Sequence, residues 1–229
     1  MIHSGSRNVG NKVATYFNNE AVRLNEEWSW DLKIPKNWQL AFLPMVGKNK
    51  HLGEAYMREM NWCLDFAEAS RVIMMERIMD AFVKHLPEVL FDKELDCHHN
   101  FASLENHFGN NVIIHRKGAT SAKMGEIGII PGSQGTASYI VKGLGNKDSF
   151  FSSSHGAGRV LSRTEAKKTL NISEEIKKLE EKGILHSIRN QNDLEEAAGA
   201  YKNIDDVMEC QKDIVCPITK LLPLAVIKG

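Results

Sequence analysis

Apolar residues recur at helical spacing over two long stretches in the first part of the chain. Val13, Tyr16, Phe17, Ala21 and Leu24 share one face and predict a helix from about Gly10 to Trp28. A looser segment follows, punctuated by Pro35 and Pro44 and carrying tryptophans at 28, 30 and 38. From His51 to about His85 the pattern predicts the longest helix. Tyr56, Met60, Cys63 and Ala67 mark its apolar face, continued by Met74, Ile78 and Phe82, and Pro87 ends it. A methionine-containing stripe at this spacing reads as core packing.

Near residue 94 the pattern changes. Gly, Ser, His and β-branched residues dominate to about residue 160. Short apolar runs predict strands at Val112–His115, Ile127–Ile130 and Tyr139–Val141, the last two stopped by Pro131-Gly132 and by Gly143 and Gly145. Beyond residue 160 helical patterns return at Thr164–Leu170, Ser173–Lys182, about 193–200 and about 204–213. An apolar strand, Leu221–Ile227, closes the chain. There is no internal repeat and no long linker, so the 229 residues read as one α+β unit, with mixed or antiparallel sheets flanked by helices.

Composition narrows the class without naming a function. Basic and acidic residues balance at 29 each, so net charge offers no argument for a nucleic-acid partner, although a local basic face is compatible with neutrality. The cysteines at 63, 97, 210 and 216 form no CxxC pair and read as reduced thiols of a cytoplasmic protein. No apolar run is long enough to span a bilayer, and no membrane partner is expected. The chain enters a dense polar motif, His3-Ser4-Gly5-Ser6-Arg7, almost at its first residue, an unusual start for a domain.

The candidate chemistry lies among the histidines. His155 is flanked by small residues in Ser154-His155-Gly156-Ala157-Gly158-Arg159, so nothing bulky shields its imidazole. Glycines allow backbone N–H groups to approach an anion closely. Gly156-Ala157-Gly158 ahead of a predicted helix has the layout of a phosphate cradle, though the same residues also make an ordinary turn. A second glycine-rich loop runs from Pro131 to Ser138. No Walker A pattern occurs, so a nucleotide would not be bound by the commonest loop.

Several of these runs, taken in order, resemble the signatures of the RtcB family of RNA ligases. They are His3-Ser4-Gly5-Ser6-Arg7, Cys97-His98-His99-Asn100, His115-Arg116-Lys117-Gly118-Ala119-Thr120 and Gly128-Ile129-Ile130-Pro131-Gly132-Ser133. Gly143-Leu144-Gly145-Asn146, Ser154-His155-Gly156-Ala157-Gly158-Arg159 and Ala225-Val226-Ile227-Lys228-Gly229 complete the series.

The resemblance implies an RtcB-like α+β fold over residues 1–229, with a helical insert at about 49–91 and a nucleotide-binding core at about 94–229. It implies a GTP- and Mn²⁺-dependent ligase that joins RNA ends bearing a 3′-phosphate, or 2′,3′-cyclic phosphate, and a 5′-hydroxyl, as in tRNA splicing or RNA repair. By resemblance His155 is the nucleophile that takes GMP from GTP. Asn100, Pro131, Ser133, Ser138, Gly156, Ala157, Gly158, Tyr201 and Lys228 would line the nucleotide pocket, and His3 and His99 would bind manganese. Arg7 and Arg116 would contact RNA phosphates, while Arg159 suits either such a contact or the anchoring of its own loop. A neutral imidazole is a competent nucleophile near neutral pH, since its reference pKa is about 6.5. Imidazoles also suit a transition metal better than Mg²⁺.

The resemblance also implies a missing N-terminal part, which in the family carries an Asp, a bridging Cys and an Asn-His pair. Neither Cys63 nor Cys97 takes the place of that Cys, since both follow the His3 motif. Gln134, Ser152 and Ser153 are smaller departures. Three readings stand at this level. One is an RNA ligase. Another is a non-catalytic GTP- or RNA-binding fragment that complements or regulates a full-length ligase, with the missing segment or an activating protein as partner. The last is an unrelated metal hydrolase.

Overall fold

The computed structural model describes residues 1–31 and 41–227, with only the backbone of 29–31. The chain forms two compact units, Met1–Asp96 and Cys97–Gly229. In the first, α1 (Arg7–Asp31) packs on α2 (Lys50–His85). Phe17, Ala21 and Leu24 of α1 and Met60, Cys63 and Ala67 of α2 are buried, and Phe17 meets Tyr56 edge-on with ring centroids 5.5 Å apart. The apolar stripe does not continue as core. Ile78 and Phe82 remain 42% and 48% exposed. At 1.5 Å per residue, α1 extends about 37 Å against about 54 Å for α2, so it cannot cover the whole face.

The second unit is an α+β assembly of small, mainly antiparallel sheets. β1 (Asn100–His107) and β2 (Asn110–Lys117) form a hairpin. Its two-residue turn, Phe108-Gly109, has φ of 52° and 81°, the positive pair that matches strand twist. β3 (Ala119–Ser121) pairs with β6 (Ser152–Ser154), in register Ala119↔Ser154, Thr120↔Ser153 and Ser121↔Ser152. β4 (Ile127–Ile130), β5 (Ser138–Gly143) and β8 (Val215–Leu221) form a three-stranded sheet with β5 central. β7 (Leu185–His186) and β9 (Ala225–Val226) make a short parallel pair. The predicted final strand is therefore two: the ladder to β5 ends at Leu221, and only Ala225–Val226 pairs again.

Ile130, Tyr139, Val141 and Val215 from the central sheet, Ile204 and Met208 from α5 (Ile204–Glu209), and Ala122, Ala137 and Ala157 make one buried cluster. Helices α3 (Arg163–Thr169) and α4 (Ile172–Glu181) lie close to their predicted places. The Ser162 hydroxyl accepts from Glu165 N–H while the Glu165 carboxylate accepts from Ser162 N–H, a reciprocal cap that starts α3. The expected helix around 193–200 is two 3₁₀ segments, Gln191–Glu196 and Ala198–Ala200. No helix among the described residues is long and apolar enough to cross a membrane.

Candidate active site

His155 follows directly on β6, a three-residue strand whose partner β3 is equally short. Its Nδ1 lies 2.6 Å from the carbonyl oxygen of Gly118. A carbonyl only accepts, so Nδ1–H donates and the neutral ring keeps its lone pair on Nε2. The same glycine gathers the neighbouring motif. Its N–H donates to the His99 carbonyl at 3.0 Å and to Asn100 Oδ1 at 3.2 Å. The rings of His99 and His155 are 5.0 Å apart and inclined at 44°. Gly118 has φ +65°, and a Cβ built there would stand 3.3 Å from His155 Cε1. The position thus requires glycine for its backbone and for the room it leaves the imidazole.

The loop after β4 meets the segment after His155. The Pro131 carbonyl accepts from Ala157 N–H at 3.1 Å, and a Cβ on Gly156 would also stand 3.1 Å from that oxygen. Within the loop, Gly132 N–H donates to Ser138 Oγ at 3.2 Å, Ser133 N–H donates to Thr136 Oγ1 at 2.7 Å, and the two hydroxyls lie 2.9 Å apart. The loop after β4 is thereby joined to the segment after His155 through Pro131 and Ala157, with Ser133 and Ser138 held by bonds inside the loop. Ala157 is only 2% exposed and anchors the loop after His155 in the core. No hydrogen bond from the N–H of Gly156 or Gly158 forms among the described residues. One expectation is corrected here. No helix begins at Gly156-Ala157-Gly158, because Ser162 caps α3 and the intervening residues are irregular. Any anion there would meet individual N–H groups rather than a helix dipole.

Tyr201 sits beside Arg159, to which it is joined by a single antiparallel bridge. Arg159 Nε donates to the Leu161 carbonyl at 2.9 Å, Nη1 donates to Tyr201 Oη at 2.9 Å, and Nη2 donates to the Glu195 carbonyl. The guanidinium also lies over the Tyr201 ring, 4.9 Å from its centroid. Arg159 anchors its own loop. The Tyr201 hydroxyl donates to the Glu196 carboxylate. Burial, reinforced by Glu196, pushes the phenol up to about 12.

Arg116, expected at an RNA phosphate, is buried with its side chain 1% exposed. Nη1 donates to Glu105 at 2.6 Å, Nη2 donates to Glu105 at 3.0 Å and to the Phe150 carbonyl at 3.0 Å, and Nε donates to Ser152 Oγ at 2.9 Å. Every nitrogen of the guanidinium has an acceptor within the unit. The Arg116 guanidinium, ahead of hydrogen bonds from Ser103 and His107, holds the Glu105 carboxyl down at about 2. Phe150 and Phe151 both have positive φ, 54° and 52°, immediately before β6. Arg116 therefore braces a strained turn and the first residue of β6, the strand that leads to His155.

Of the remaining expected residues, His3 and Arg7 lie in the first unit, both exposed, with Arg7 opening α1. Lys228 lies outside the described residues. Asn100 serves in this structure as an acceptor for Gly118. Sequence reasoning missed three contributors: Gly118, Glu105 and Gln211. Gln211 is 5% exposed and bonds Ser154 through both ends of its amide. Only Gly118 left a signal, a glycine standing between two predicted strand segments.

The family model described as tRNA-splicing ligase RtcB matches residues 1–229. The chain is 39% identical over 235 residues to the RNA-splicing ligase RtcB of Escherichia coli K12, covering all of this chain and 55% of that protein. It is 34% identical over 255 residues to the tRNA-splicing ligase RtcB of Nanoarchaeum equitans, covering all of this chain and 52% of that protein. Against the RNA-splicing ligase RtcB of Mycobacterium tuberculosis it is 32% identical over 251 residues, again over its whole length and 56% of the relative. The chain spans about half the length of these curated relatives. A family match from the first residue to the last, together with relatives 32–39% identical over the whole chain, makes this chain a member of the RtcB family.

Proposed function

We propose that the chain carries the guanylylation centre of an RNA ligase, with His155 as the residue that becomes covalently bound to GMP. The observation that carries this reading is the 2.6 Å contact between His155 Nδ1 and the Gly118 carbonyl. It holds the proton on Nδ1 and leaves Nε2 as a lone-pair donor. In the first step the Nε2 lone pair attacks the α-phosphorus of GTP, the N–P bond forms, and the bond to the β-phosphate oxygen breaks. Pyrophosphate leaves with that electron pair, while the proton stays on Nδ1, against Gly118. In the second step an oxygen of the RNA 3′-phosphate attacks the same phosphorus and the N–P bond breaks, returning the lone pair to Nε2. The RNA 5′-hydroxyl then attacks the activated 3′-phosphate. The phosphodiester forms, GMP leaves, and the hydroxyl proton goes to solvent. Dividing the transfer into covalent steps lowers each barrier.

The N–H groups of Gly156 and Gly158 and the hydroxyls of Ser133 and Ser138 are the donors this reading assigns to GTP, with Pro131, Ala157 and Asn100 shaping the pocket. Tyr201 and Lys228 are assigned to the base, and exposed Arg7 to RNA phosphate. Manganese belongs to the proposal as the metal the resemblance implies, and cationic assistance of this kind neutralises phosphate charge. Among the residues expected to bind it, the second unit supplies His99 alone, which falls short of a metal donor set.

Incubation of the chain with GTP and Mn²⁺, read by intact mass, tests the proposal. A GMP adduct on the wild type and none on His155→Ala is the expected result. An adduct retained by His155→Ala overturns the assignment. Because the chain covers about half of its relatives, a second reading is a binding fragment that complements a longer ligase. GTP binding without an adduct would favour it.

A further inference from the structure

β6 is too short to hold its own position. A three-residue ribbon with a single partner strand is marginal by itself. Its C-terminal residue, Ser154, stands next to His155, and there the neighbouring strand is replaced by a side chain. Ser154 N–H donates to Gln211 Oε1 at 3.1 Å, and Gln211 Nε2 donates to Ser154 Oγ at 3.0 Å. The Gln211 amide thus acts as a peptide group added to the edge of β6. Its own backbone is fixed in turn. Gln211 N–H donates to the Met208 carbonyl at 3.3 Å, and its carbonyl accepts from Ile214 and Val215 N–H at 2.9 and 3.0 Å. Met208 and Val215 belong to the buried core. A rigid line runs from the core, through Gln211, to the residue preceding the nucleophile.

We propose that Gln211 is a positioning residue for His155, clamping Ser154 so that the imidazole stays seated on the Gly118 carbonyl in its Nδ1–H form. The catalytic part of this inference rests on the guanylylation reading above, whereas the positional part does not. Among the described residues Gln211 makes no hydrogen bond to His155 or to the Pro131–Ser138 loop, so its influence passes through Ser154. Without the clamp, Ser154 loses its edge partner, the imidazole leaves the Gly118 oxygen, and the ring proton redistributes between its nitrogens.

The test uses the full chain with ¹⁵N-labelled histidine, the His155 signals being assigned by their loss in His155→Ala. Long-range proton–nitrogen correlation then reads the tautomer directly, with no nucleotide present. Wild type should show the Nδ1–H form. Gln211→Met, which keeps length and removes both hydrogen bonds, should show a mixture, and the rate of GMP adduct formation should fall by roughly 10²-fold. Gln211→Glu retains an acceptor for Ser154 N–H and should keep the wild-type tautomer. Ile184→Ala, a buried change away from β6, should lower stability without altering the tautomer. Gln211→Asn withdraws the amide by one methylene and gives the same test where the methionine variant does not fold. An unchanged His155 tautomer in a folded Gln211→Met or Gln211→Asn chain overturns the inference. So does a tautomer change of equal size in Ile184→Ala. If the wild type forms no GMP adduct, the guanylylation reading fails, and the tautomer measurement still decides the role of Gln211.

Discussion

Replacing Glu105 by Gln should destabilise the second unit by about 3 kcal/mol at neutral pH. The Glu105 side chain is 6% exposed and bonded to both terminal nitrogens of Arg116. Its folded carboxyl lies at about 2, against an ordinary value of 4.5. At ~1.36 kcal/mol per unit, that difference corresponds to roughly 3 kcal/mol favouring the folded state. The folded value is depressed, so the contribution is complete above pH 4.5 and fades as pH falls towards 2. The neutral amide has no such dependence. The stability gap between wild type and Glu105→Gln should therefore narrow on acidification, to roughly half its neutral value near pH 3. Removing one partner of a buried pair also strands the other, at a cost of about 3–5 kcal/mol, so the two routes to the magnitude agree. Urea unfolding of both chains at a series of pH values measures the gap, and the difference cancels the other carboxylates. A gap that stays constant from pH 7 to pH 3 would refute the reasoning, because the ionised carboxylate would then not be the source of the stability.

Two further substitutions probe the site. Gly118→Ala places a Cβ 3.3 Å from His155 Cε1 at φ +65°. It should cost about 1–2 kcal/mol of stability and slow GMP adduct formation by roughly 10²-fold, as timed by intact mass. An unchanged rate would mean that Gly118 does not seat the nucleophile. Tyr201 is raised from 10.0 to about 12, so this phenol keeps its proton in the folded chain after an unfolded one would lose it. Its contribution to stability is complete below pH 10 and is lost as pH rises towards 12. Alkaline ultraviolet titration should find an ionisation near the upper value in wild type that is lost in Tyr201→Phe. The same substitution should cost about 1 kcal/mol in urea unfolding, since it removes the Glu196 hydrogen bond.

Much of the fold was legible because it depends on short-range patterning. β4 falls on the predicted Ile127–Ile130, and α2 begins one residue before its predicted start. β1 was not anticipated. Asn100–His107 mixes charged and small residues, and its burial alternates only partly, so its strand character comes from pairing with β2 rather than from its own sequence. Residues 193–200 carry helical composition, yet they fold as two 3₁₀ segments, the first capped reciprocally by Asn190 and Asp193. The far half of the α2 stripe looked like core because periodicity reports which residues share a face. It cannot report whether another element is long enough to cover them.

The site divides in the same way. Chemical identity was available locally: His155 stands among small residues, and the Pro131–Ser138 loop is rich in glycine and hydroxyls. The family resemblance rests on such contiguous runs. Position in space was not available. The carbonyl that sets the His155 tautomer lies 37 residues away in the chain, and the amide that clamps Ser154 lies 57 residues away. Arg116 and Arg159 look alike in sequence as phosphate contacts, and only packing reveals that the first is sealed against Glu105 while the second ties down its own loop. Sequence by itself determined which groups could do chemistry, since nucleophilicity, hydrogen-bonding capacity and glycine's backbone freedom belong to the residue type. Tertiary structure alone decided which nitrogen of His155 holds the proton and which arginine is spent inside the protein. Those outcomes depend on what stands within about 3 Å of each group, and the fold chooses those neighbours from distant parts of the chain.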